Sequence, residues 1–242
     1  MFLQIVVFYV LTWFFLMLLG GVQQATGILP PAIGLAQWGP GIAALLMLVI
    51  FRKDKFKITF FSKGTPIQRY LLALLPLGVG LVVFLISKLV PMQSTPSELL
   101  DKLPLVLVWI PLGSLGEELG WRGYLHKNLD TKMRGLISSV LVGILWMPIH
   151  IQFLSQGPLF LFFFTLTTIS WSIVMYALVK DSGFSVLLAT IFHMSIQLIN
   201  LLVLDRINDI SFMMINALVW LIVAAFFVLL NRKLYFGSKV QG

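Results

Sequence analysis

The chain has 242 residues, 59% hydrophobic and 11% charged, where an ordinary globular domain carries about 25% charged residues. That much apolar surface exceeds what one soluble core of this size can hide, so a soluble domain is excluded and a hydrocarbon solvent is called for. The net charge of +8 lies in short loops between apolar runs, which is the pattern of membrane topology and not of a nucleic-acid partner. The absence of cysteine excludes disulfides, thiolate metal sites and a cysteine nucleophile.

Eight apolar runs of spanning length follow one another, near 2–20, 31–51, 70–91, 104–125, 136–156, 159–179, 184–204 and 210–231, since about 20 residues cross the hydrocarbon core. The expected fold class is all-α, a polytopic transmembrane helical bundle of about eight spans. The runs are continuous and lack the period-2 alternation of a barrel strand. The first has no basic leader and no A-x-A-like site after it, so it reads as a retained span and not a signal peptide. Gly20-Gly21, Pro30-Pro31, Pro91, Pro104, Gly135, Gly157-Pro158 and Gly183 punctuate the runs.

Basic residues set the orientation. Arg52, Lys53, Lys55, Lys57, Lys63 and Arg69 fall between spans two and three. Arg122, Lys127, Lys132 and Arg134 fall around the end of span four, Lys180 between spans six and seven, and Arg232, Lys233 and Lys239 after span eight. Eight alternating spans put all of these on one side and leave Lys88, Lys102 and Arg206 on the other. This predicts cytoplasmic N- and C-termini in a multi-pass protein of the plasma membrane. The segment 56–62, Phe-Lys-Ile-Thr-Phe-Phe-Ser, reads as interfacial, with lysines near anionic headgroups.

Polar residues inside the spans carry the functional information, because a charge at the bilayer centre costs about 2.5–3.5 kcal/mol on insertion scales. In span four, Glu118 and Arg122 are four residues apart with acid before base, the favoured order for a helical ion pair. Glu117 points about 100° away around the helix and does not share that contact fully. It lies about 12 Å inside the span at 1.5 Å per residue, where a carboxylate suits a general base for water. Gly113, Gly116, Gly120 and Gly123 allow other helices to approach closely. In span five, Trp146 and His150 are one turn apart, and Pro148 between them frees a carbonyl and kinks the helix. In span seven, His193 and Gln197 are one turn apart and form a plausible donor pair for a developing oxyanion. Each of these groups taken alone is also compatible with polar contacts between helices. The glutamates and the two histidines sit on three spans at similar depth, which favours a common site. His126 is expected to be solvated in the loop after span four.

The series Glu117-Glu118-x-x-x-Arg122, Trp146-x-x-x-His150 and His193-x-x-x-Gln197 resembles the CPBP family, the CAAX prenyl proteases (type II CAAX endopeptidases) and bacteriocin-processing enzymes. Their pattern is EExxxR, then an aromatic residue four before a histidine, then HxxxN or HxxxD. The resemblance covers about 104 to 204. It divides the chain into three N-terminal spans with a basic loop (1–103), a catalytic core of spans four to seven (104–204), and a last span with its tail (205–242). It implies an intramembrane endopeptidase acting on a peptide or protein substrate in or near the bilayer, C-terminally lipidated or bacteriocin-like. In that picture Glu117 and His150 activate water, His193 and Gln197 steady the oxyanion, and Glu118 and Arg122 support them. Gln197 stands where the family has asparagine or aspartate, which adds one methylene. No H-E-x-x-H motif is present. Zinc remains compatible with two glutamates and two histidines, and a metal-free, glutamate-activated water is the favoured reading. Two other functions stay open: a non-catalytic bacteriocin self-immunity protein of the same fold, and a small transporter that relays ions through the buried groups.

Overall fold

The computed structural model describes residues 2–27, 34–51, 56–92 and 103–237. Among the described residues, six helices are long and apolar enough to cross a membrane. They are α1 (Phe2–Thr26), the broken pair α3 (Ile67–Leu72) and α4 (Leu75–Ser87), α5 (Leu103–Gly120) with its continuation, α8 (Pro158–Val179), α9 (Val186–Asn200) and α10 (Ile210–Leu230). Two shorter apolar helices fall where the second and fifth spans are expected: α2 (Gly39–Ile50) and α7 (Gly135–Trp146). No strand occurs among the described residues. The protein is a polytopic helical bundle, with large apolar side chains of α1, α5 and α10 facing outward as lipid-facing residues do. Pro30-Pro31 and the basic residues Arg52, Lys53, Lys55, Lys102 and Lys239 lie outside the described residues.

Three departures from the sequence reading have local causes. First, α5 does not stop near 125. It passes through a π-helical turn (Trp121–His126) into α6 (Lys127–Asp130), so Glu117 lies about 20 Å from that end at 1.5 Å per residue. Second, span five is not one kinked helix. Pro148 cannot donate to the helical ladder, and α7 gives way to 3-10 turns at Met147–Ile149 and Ile151–Gln156. Third, His126 is not solvated. It is fully buried, with its ring stacked on Tyr176 at 5.2 Å and packed against Phe184.

The glycines of α5 set the packing at the centre of the bundle. A Cβ at Gly120 would fall 2.4 Å from the backbone of Pro40, and one at Gly116 would fall 2.9 Å from the Trp38 ring. The start of α2 therefore rests directly on α5. Behind it, α9 packs on α5 and α4, while α7 packs on α8 and α8 on α10. Gly143 lets α7 meet the backbone of α8 at Ile169, and Thr168 donates to its carbonyl at 3.0 Å. Gly120→Ala is expected to cost about 1–3 kcal/mol, the usual range for overpacking a closed interior, read as a lower melting temperature in detergent.

Candidate active site

Glu117 faces the start of α2 and the end of α7. It is 4% exposed. Its Oε2 accepts from the Trp146 indole Nε1–H at 2.7 Å, and its Oε1 accepts from the Gln37 carboxamide at 3.1 Å. The carboxylate left without the arginine is therefore not left without partners. Gln37 comes from a 3-10 turn, Leu35–Trp38, just before α2. The start of span two thus reaches the candidate site, and no local pattern announces it. The only signal there is a polar residue inside the second apolar run, beside Gly34, Gly39 and Gly41.

Glu118, one position on, faces α9. Arg122 Nη1 donates to both of its oxygens, at 2.9 and 3.0 Å, and both side chains are fully buried. His193 Nδ1 lies 2.9 Å from Glu118 Oε1. A carboxylate only accepts, so Nδ1 carries the hydrogen. The other ring nitrogen, Nε2, is 3.0 Å from Gln197 Nε2, which makes the neutral imidazole the acceptor of one amide hydrogen. The series Arg122–Glu118–His193–Gln197 is continuous. Both His193 nitrogens are engaged within it, and one amide hydrogen of Gln197 stays available.

His150 sits where α7 has ended, with φ −81° and ψ 65°. Its Nδ1 lies 3.1 Å from the Trp146 carbonyl and 3.2 Å from that of Met147. Carbonyls only accept, so Nδ1 donates and the basic lone pair is on Nε2. The proline-terminated helix supplies those two carbonyls. The ring is half-buried and stands edge-on to Phe164 at 5.0 Å.

Trp146 joins the parts. Its ring centre is 5.1 Å from that of His193 and 5.9 Å from that of His150, and the Arg122 guanidinium lies 4.3 Å over it. From its spacing Trp146 is only a neighbour of His150, one turn away. The structure makes it the common neighbour of Glu117, Arg122, His150 and His193.

These donors do not fit a zinc centre. Zinc takes three or four convergent nitrogen, oxygen or sulfur ligands. Among the described residues no three His, Asp or Glu side chains converge in that way. The Glu117 oxygens face an indole and a carboxamide, and both His193 nitrogens are engaged.

A second polar cluster lies on α6, α7 and α8, away from these groups. Asp130 accepts from the Tyr176 hydroxyl at 2.7 Å and from Lys180. Ser139 Oγ lies 3.4 Å from His126 Nε2. Tyr235, on α11 (Arg232–Phe236) beyond the last span, donates to the Ile173 carbonyl at 2.7 Å, and burial pushes its phenol well above the usual value. The contacts tie chain segments together at one end of the bundle.

Comparison with known proteins bears on the same residues. Residues 99–199 match the family described as type II CAAX prenyl endopeptidase Rce1-like. Lysostaphin resistance protein A of Staphylococcus haemolyticus is 23% identical over 245 residues, which is 97% of this chain and 67% of that protein. Its namesake in Staphylococcus epidermidis is 25% identical over 240 residues, 95% of this chain and 62% of that protein. In Staphylococcus aureus (strain Newman) the figures are 26% over 203 residues, 80% and 48%. The chain thus spans about half to two thirds of the length of these relatives. Residues 99–199, the stretch similar to that family of type II CAAX prenyl endopeptidases, hold all three motifs.

Proposed function

We propose that this protein hydrolyses a peptide bond of a membrane-embedded or membrane-associated substrate, using a water activated by Glu117 and His150. The observation that carries this reading is the Glu117 carboxylate, held mid-span by Trp146 and Gln37 instead of being neutralised by Arg122. A carboxylate has about four acceptor positions, and two donors leave room for a water hydrogen. His150 Nε2 offers a second acceptor, its ring centre 5.9 Å from that of Trp146.

In this mechanism Glu117 takes a proton from water as its oxygen bonds to the scissile carbonyl carbon. The carbonyl oxygen gathers negative charge and accepts a hydrogen bond from the free N–H of the Gln197 amide. As the C–N bond breaks, Glu117 returns the proton to the departing amine, giving one carboxylic acid and one amine. His193 orients Gln197, and the buried Glu118–Arg122 pair fixes the His193 tautomer. Glutamine in place of the family's shorter residue reaches His193 from one helical turn away. The lysine and arginine distribution supports both termini in the cytoplasm.

The test compares cells that make the wild type with cells that make Glu117→Ala at equal membrane levels, by mass spectrometry of membrane and released peptides. Peptides present only with the wild type are expected. Identical peptide sets would remove the reading. Trp146→Phe keeps a smaller aromatic ring and deletes one donor to a charged acceptor, so a loss of about tenfold or more in kcat is expected, measured on a peptide found in that comparison.

A second reading has its own support. The relatives are named for resistance to lysostaphin, and His193 and Gln197 bond to each other. Resistance by binding, without cleavage, predicts that Glu117→Ala protects cells as well as the wild type does.

A further inference from the structure

We infer that Gln37 is a positioning residue for Glu117, so that the candidate site is completed by the turn at 34–38, outside the matched domain. The inference rests on Glu117 being the group that activates water. It deepens that reading by assigning the group that sets the carboxylate's orientation.

Both ends of the Gln37 carboxamide are specified. Its oxygen accepts from the Gly34 N–H at 3.3 Å, and its nitrogen donates to Glu117 at 3.1 Å. Turning the amide over would set oxygen against carboxylate and nitrogen against an N–H, so only one orientation satisfies both neighbours. The turn is fastened in its own right. Gln23 on α1 is 5% exposed, and its Oε1 accepts from the Leu35 N–H at 2.9 Å.

The helix that carries Glu117 is shaped to receive this side chain. A Cβ at Gly113 would fall 2.0 Å from the Gln37 Oε1 and 2.6 Å from its carboxamide carbon. A Cβ at Gly116 would fall 3.0 Å from the Gln37 carbonyl oxygen. Gly113 sits one turn before Glu117, so the missing side chain leaves room for the carboxamide beside the carboxylate. Trp146 holds the opposite oxygen at 2.7 Å. Donors from two distant parts of the chain thus fix the plane of one carboxylate, and that plane decides which lone pairs face the water.

The test uses the full chain in detergent or vesicles. Gln37→Met keeps the length and removes the donor, while Gly113→Ala keeps Gln37 and takes its space. Each is expected to lower kcat about tenfold, the value of a hydrogen bond to a charged group, with KM changed by less than about twofold because no uniform binding contact is lost. The double variant is expected to fall no further than either single, because both remove one contact. A readout independent of cleavage is thermal unfolding. Gln37→Glu sets two carboxylates face to face and is expected to lower the melting temperature. Adding Glu117→Gln is expected to restore it, because the carboxamide at position 117 then donates to the carboxylate at position 37. Wild-type kcat in Gln37→Met, with Glu117→Ala inactive, would overturn this inference and leave the proposed hydrolysis standing. No recovery in the swapped pair would overturn the contact itself. Full activity in Glu117→Ala would remove both.

Discussion

Glu117→Ala is expected to slow peptide-bond hydrolysis by roughly 10²–10⁴-fold, the usual contribution of one positioned proton acceptor. The same change removes the acceptor for the Trp146 indole and the Gln37 amide, and each buried donor left unpaired costs about 1–3 kcal/mol. Glu117→Gln separates the two effects. It has the same shape, still accepts one of those hydrogens and takes no proton from water. It is expected to be as inactive as the alanine variant and to melt closer to the wild type. Activity within a few-fold of wild type in Glu117→Gln would contradict the assignment of proton transfer to this side chain.

The neighbouring glutamate should behave in the opposite way. Glu118→Ala strands the Arg122 guanidinium, fully buried, without its carboxylate, and breaking one side of a buried pair costs about 3–5 kcal/mol. It also removes the acceptor for His193 Nδ1. The expected result is a large loss of folded protein in membranes and of melting temperature in detergent, before any effect on chemistry is resolved. Removing both charges, as in Glu118→Leu with Arg122→Met, is expected to recover much of that stability and none of the activity, since His193 and Gln197 lose their common reference. Equal stability of Glu118→Ala and the wild type would show that the buried pair does not stabilise the fold.

The contrast shows what the sequence could and could not convey. Local spacing was enough for the Glu118–Arg122 contact and for the turn between His193 and Gln197, because residues four apart on a helix face one another. Run length located the membrane helices, and the glycines of α5 announced a close approach. The approaching partner was not legible. Gln37 and Glu117 are 80 positions apart, and no local period connects them. His126 differs for a related reason: a span ending near 125 puts it in a loop, whereas the helix runs on to Asp130 and Tyr176 and Phe184 enclose the ring. The π-helical turn was hidden as well, since Trp121–His126 has no composition that separates it from an α-helix. Such turns occur often beside functional groups, and this one follows the two glutamates directly.

The stretch before α3 has a mechanical role beyond its charge. The carbonyls of Thr59 and Phe60 accept from the N–H groups of Val186 and Leu187 at 2.8 and 3.0 Å, Ser185 Oγ donates to Phe60, and Lys127 Nζ reaches Lys57 and Thr59. The first amides of α9 are thus satisfied by a separate chain segment, where most helices use their own cap or water. His193 lies two turns further along the same helix. The 56–62 stretch and the imidazole are therefore joined through one continuous helix, Val186–Asn200.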